Sequence, residues 1–140
     1  MIGVIARSPE TPTYNCIALS AGDDTRWWWP AGDSYWPKGI SKDVTLEVFI
    51  QAFSTLDYVP CDNYELDSCF EKIVIFVDDN GEPTHAARQL ENGKWISKLG
   101  QYIDVEHELN ILRDYVLSLD KNTDYGYPAI ILRRPKKLHR

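Results

Sequence analysis

The run Ile73-Val74-Ile75-Phe76-Val77 does most to narrow what this chain folds into. It is a continuous apolar stretch, mostly β-branched, and it ends at the turn-forming sequence Asp78-Asp79-Asn80-Gly81. Branched side chains favour the extended backbone, and the run is short for a buried helix, so it reads as a buried strand. Residues 84–90 read as a second strand. Glu91-Asn92-Gly93 follows, and Asn-Gly between two strand-like runs is the strongest short hairpin signal. A third strand at 94–98 completes an antiparallel meander.

The flanking segments are expected to add helices. Residues 3–6 suit a short strand, and Pro9 and Pro12 keep the next stretch extended. Asn15 is a good N-cap for a helix from Asn15 to Ala21, which Gly22 stops. Gly and Pro punctuate a loop over 22–40. Ser41 or Asp43 can open a helix over 43–56, with Val44, Val48, Phe49, Ala52, Phe53 and Leu56 on one face. Residues 65–71 read as a transition. Asp104 is expected to start a helix to about Ser118, with Val105, Leu109, Leu112 and Val116 inward. The last strand spans 127–132, with Pro128 near its start or on an edge. This order predicts an α+β fold, with N-terminal helices packed on a small antiparallel sheet. One domain is expected over 1–132, followed by a basic tail at 133–140.

A chain of 140 residues is one domain by length and can bury a real core. No stretch is apolar enough to span a membrane. The start, Met1-Ile2-Gly3-Val4-Ile5-Ala6-Arg7, lacks the basic-then-apolar pattern of a Sec-type signal. A cytoplasmic location is therefore expected, with a dedicated secretion system or phage release as routes out. The net charge is −6, yet the tail carries five Lys/Arg and no acid, so subtracting those five leaves −11 on the body. An acidic body argues against nucleic acid as a partner, because phosphate binding needs clustered cations.

Cys16 and His85 carry the candidate chemistry. Each stands where an element is expected to begin. The helix end favours the thiolate, and a neighbouring imidazolium lowers its pKa further, which would make a nucleophile. A third polar group should orient the imidazole. Ser97 lies on the strand paired with that of His85, at a similar level. Asp104 is the nearby carboxylate, and Asn15 precedes the nucleophile. Geometry favours Ser97 and chemistry favours Asp104. Strand alternation puts Gln89 on the His85 face. A backbone N–H at the start of the Cys16 helix is the natural oxyanion donor.

The order of a cysteine on a helix and then a meander whose middle strand opens with histidine resembles the papain-like cysteine hydrolases. NlpC-type cell-wall peptidases and amidases are the nearest echo. His85, Asn92-Gly93 and Ser97 fall at similar spacing to their histidine strand, turn and third polar residue. The resemblance covers residues 14–98 and implies a papain-like core and a thiol peptidase or amidase activity. It departs at the nucleophile, where Asn15-Cys16-Ile17-Ala18 stands for the usual Asp-Cys-Ser-Gly. The whole chain also resembles a family of bacterial and phage proteins. That likeness runs through Asn15-Cys16-Ile17-Ala18, Trp27-Trp28-Trp29-Pro30, Tyr35-Trp36-Pro37, Thr84-His85-Ala86-Ala87-Arg88 and Ser97-Lys98-Leu99-Gly100, and it implies no particular activity.

Two further features compete for a role. Trp27, Trp28, Trp29, Tyr35 and Trp36 crowd one loop. They are either a local mini-core or an aromatic wall beside Cys16 that holds a peptide, acyl or sugar-linked substrate. Tryptophan rings around the sulfur would desolvate it and raise its pKa. Asp104 and His107, three apart on a helix, could share a face and join His85 around a metal. That pattern is weak, and no metal or other cofactor is expected. Cys61 and Cys69 are expected as two thiols, a disulfide being the alternative in an exported form.

The expected function is that of a cysteine hydrolase or acyl-transferase acting on an amide bond, in a peptidase or amidase toxin or a phage effector. Its substrate would be a peptide or other amide. The alternative is a non-enzymatic module that binds a peptide or protein through the Trp-rich loop. An acidic DNA mimic is a third reading, which the scattered acids do not favour.

Overall fold

The meander is where the fold is built. The computed structural model describes residues 4–7, 11–99 and 103–137. Gly3, Pro9, Gly100 and residues 138–140 lie outside them. Strands β3 (Phe70–Val77), β4 (Pro83–Gln89) and β5 (Trp95–Lys98) form it, with Phe76 opposite His85 and Gln89 opposite Trp95. Around it stand β1 (Val4–Ala6), β2 (Val59–Cys61), β6 (Asp104–His107) and β7 (Tyr127–Pro135). Together they make one seven-stranded sheet in the order β1-β6-β5-β4-β3-β7-β2, with every pairing antiparallel.

The helices are minor by comparison. They are α1 (Cys16–Ser20), α2 (Leu46–Ser54), one 3-10 turn (Leu109–Ile111) and α3 (Leu112–Leu119). This corrects the expected α+β papain-like core with N-terminal helices on a small sheet. The sheet is the body of the molecule, and the helices are short covers. Two segments account for the difference. Asp104 begins a strand, not a helix, and Val59–Cys61 adds an edge strand where none was expected. Pro60 is tolerated there because an edge strand has an unpaired side. The last strand also runs on through Arg133 and Arg134 to Pro135, with Arg134 paired to Glu71 at 2.6 Å, so the basic stretch is partly sheet.

The apolar run of β3 serves two cores because successive residues face opposite sides. Ile73 and Ile75 join α1 and α2 in one cluster with Ile17, Phe49 and Phe53. Val74 and Phe76 join Trp95, Val105, Leu112 and Val116 in the other. Each fully buried side chain of this size contributes about 1.5–3 kcal/mol, which is why the run tolerates no polar residue.

Gly126 opens β7 in a left-handed conformation (φ 77°). A Cβ there would lie 1.9 Å from the carbonyl oxygen of Val77. Gly126→Ala should therefore destabilise the protein by more than about 1 kcal/mol, because both the backbone and the space are wrong for a side chain. Urea unfolding measures this. A midpoint equal to that of the wild type would show that the turn into β7 is not built this way.

Candidate active site

Asn15 sets Cys16 in place. Its backbone is extended, and its Oδ1 accepts from the N–H of Ala18 at 3.1 Å, capping α1. The same oxygen accepts from the Trp28 N–H at 3.1 Å, while Nδ2 donates to the Trp28 carbonyl at 2.8 Å. One buried side chain thus caps the helix and ties it to the Trp-rich loop. Cys16 is the first helical residue, and α1 packs across β4 and β5. The paired residues of those two strands are Arg88 with Ile96 and Gln89 with Trp95. Towards the start of β4, the Ala86 N–H meets the Cys16 thiol instead. Burial pushes that thiol up to about 11, against the pull of the N–H groups of Ala86, Ile17 and Cys16 and the charge of Lys98.

His85 is fully buried, one residue before Ala86. Tyr125 stacks on its ring at 4.2 Å with the planes 5° apart, and Phe76 meets it edge-on at 5.2 Å. The Thr84 hydroxyl donates to the Tyr125 carbonyl and holds that stack in place. His85 Nε2 lies 2.8 Å from Ser97 Oγ, and Ser97 Oγ lies 2.7 Å from His107 Nε2. His107 Nδ1 in turn lies 2.7 Å from the Glu108 carbonyl. These are diagonal neighbours on one sheet face. Arg88 pairs with Ile96, which one residue on sets Ser97 across from Ala87, and Ser97 pairs with Val105. Burial lowers His85 well below its ordinary value, and His107 adds to that effect. Burial also lowers His107, opposed by the Glu108 carbonyl and charge.

His85 precedes Ala86, whose N–H lies near the Cys16 sulfur, and its ring packs on the face of the sheet that carries Phe76. His85 Nδ1 is buried and has no hydrogen-bond partner. Both shifts favour the neutral form of their group. Burial works against the expected thiolate–imidazolium pair at both groups, raising the thiol and lowering the imidazole.

The chain belongs to the family described as Domain of unknown function (DUF7689). The match spans residues 5–133 and includes every residue of this site. No curated protein and no solved structure matches the chain.

Of the remaining candidates, Asp104 stands apart from His85. Its Oδ2 accepts from the Tyr14 hydroxyl at 2.8 Å, and it sits opposite Lys98. Strand alternation in β6 turns Asp104 and His107 to opposite faces, so the shared helix face needed for a metal site does not form. Gln89 follows its expected face but donates to the Tyr64 carbonyl at 2.9 Å, away from the cysteine. The Trp-rich loop is mostly core. Trp28 and Trp36 are buried in the same cluster as Cys16, and Trp29 and Trp36 both pack on Phe49. Trp27 is the exposed member, at 39%. Cys61 and Cys69 are free thiols. Sequence reasoning set His107 beside His85 only as a possible metal ligand on a helix, not as a hydrogen-bond partner of Ser97, and it missed Tyr125. Alternation within Asp104–His107 could have found the first, whereas nothing local marks the second.

Two outcomes follow from these contacts. Asn15→Ala removes a cap and strands the buried Trp28 N–H and carbonyl, so it should cost about 2–3 kcal/mol in urea unfolding. A loss within about 0.5 kcal/mol would mean that the loop holds itself. Both site histidines have folded pKa values below 6.5, so the unfolded chain binds protons first as pH falls. Their contribution to stability is complete above about 6.5 and is lost below it. The urea midpoint should drop between about pH 8 and pH 5, and His85→Gln should make that drop shallower. An unchanged slope would argue against a depressed His85.

Proposed function

We propose that this chain is a cysteine-dependent hydrolase or acyl-transferase that acts on an amide bond. The observation that carries the reading is the buried, unpartnered Nδ1 of His85, on the residue next to the one whose N–H meets the Cys16 thiol. A partnerless buried nitrogen costs on the order of 1–3 kcal/mol, and a transferable proton on a neighbouring thiol is a use for it. The reading rests on the site and not on a fold likeness.

In this scheme Cys16 attacks as a neutral thiol. The sulfur–carbon bond forms while the thiol proton passes to His85 Nδ1, and the carbonyl oxygen takes the negative charge. The N–H groups of Ala86 and Ile17 near the sulfur are candidates to receive that oxygen. Collapse expels the amine, which takes the proton back from Nδ1 and leaves a thioester on Cys16. Water, deprotonated by His85, then releases the acid; an amine in place of water gives acyl transfer. Ser97 holds the imidazole through Nε2. The substrate class is a peptide or another amide.

An activated ester, p-nitrophenyl acetate, tests the pair without knowledge of the substrate. The wild type should carry a transient acetyl group on Cys16, seen by mass spectrometry. Cys16→Ala should lack it, and His85→Ala should acquire it on the order of 100-fold more slowly. Acetylation that is no faster at Cys16 than at the exposed Cys69, or that is indifferent to His85, would remove the enzyme reading. The exposed Trp27, beside Arg26 and Tyr35, would then be the place to seek a binding partner.

A further inference from the structure

The hydrogen bonds behind His85 run in one direction only. The Glu108 carbonyl can accept but not donate, so the proton of a neutral His107 sits on Nδ1. His107 Nε2 is then a bare acceptor, and the partner it faces is the Ser97 hydroxyl, which must donate its only proton there. With that proton committed, Ser97 Oγ can only accept from His85, so His85 carries its proton on Nε2. Nδ1 is left as the unprotonated nitrogen. All three side chains are buried, with no exposed surface on His85, Ser97 or His107. Water has no ready access to reverse the order.

We infer that His107 is a positioning residue that fixes the tautomer of His85 through Ser97, keeping Nδ1 free to receive a proton. A single misdirected proton in this chain would turn Nδ1 into a donor. His85 could then not act as a base, although no atom had moved. The direction originates at a backbone carbonyl, which cannot change its role. The inference deepens the hydrolase reading, on which its catalytic meaning rests, but the tautomers can be measured without turnover.

The experiment is long-range proton–nitrogen NMR at neutral pH, which separates protonated from bare imidazole nitrogens. The chain has three histidines, so the spectrum is simple to assign. In the wild type His85 should be the Nε2–H tautomer and His107 the Nδ1–H tautomer, each without a second form. In His107→Phe the Ser97 hydroxyl has no acceptor and can turn to donate to His85, which should lose its single-tautomer signature. Ser97→Ala should show the same loss, and Ser97→Thr, which keeps the hydroxyl, should restore it. A wild-type His85 protonated at Nδ1 would overturn the inference even if neither variant folds. So would an unchanged His85 in a folded His107→Phe. The expected tautomers together with an unreactive Cys16 would instead overturn the hydrolase reading and leave the positioning role standing.

Discussion

The site depends on Asn15. Its side chain has three polar contacts with the backbone, and together they fix where α1 begins, how the Trp-rich loop is anchored at Trp28 and therefore where the Cys16 sulfur sits. A five-residue helix has little stability of its own, because nucleation costs more than so few bonds return. The cap and the packing of Ile17 and Ala18 in the core supply what is missing. The loop has the same dependence. Trp28 exchanges backbone contacts with Asn15 and donates its indole N–H to Asp23, whose carboxyl is held well below the usual range by its hydrogen bonds despite partial burial. The aromatic loop is therefore largely a wall of the core that also fixes Cys16.

Burial then decides the electrostatics. A thiolate beside an imidazolium is stable where water or strong dipoles surround both charges. Here both groups are buried, and moving the thiol from 9 to about 11 disfavours its anion by about 3 kcal/mol. The imidazole is shifted the other way, so an ion pair at rest is opposed twice. A neutral pair asks different things of its surroundings: a fixed tautomer, a fixed ring and little movement between them. The parallel, stacked Tyr125 ring and the two bonds at Ser97 meet those demands through geometry and not through charge.

How far the sequence could be read depended on whether the deciding contacts were local. The β3 run and the Asn92-Gly93 turn were legible because strand propensity and turn chemistry act over a few residues. The capping role of Asn15 and the Ser97 contact with His85 followed from the same local rules. Asp104-Val105-Glu106-His107 was misread because aspartate is a good helix starter and the apolar spacing beyond it suits a helix. The alternation that favours a strand is only four residues long, and it is tertiary pairing with β1 and β5 that makes one. That one segment hid both the size of the sheet and the role of His107. The tryptophans were ambiguous for another reason: composition does not say which side of a ring faces water.

The large sheet bears on the site itself. In a sheet-built molecule the residues that could do chemistry need not lie in a cleft between subdomains. They can lie where a ladder stops. The paired residues of β4 and β5 are Arg88 with Ile96 and Gln89 with Trp95, near the Asn92-Gly93 turn. Nearer the start of β4, Ala86 offers its N–H to a side chain from α1. Ala86 belongs to the core cluster that holds Cys16, whereas Phe76, the partner of His85, belongs to the cluster on the other face. The Cys16 sulfur thus has the helix and backbone N–H groups on its own side of the sheet, and the histidine chain lies on the other. The proposed proton transfer therefore has to pass where the β4–β5 ladder is open, beside Ala86.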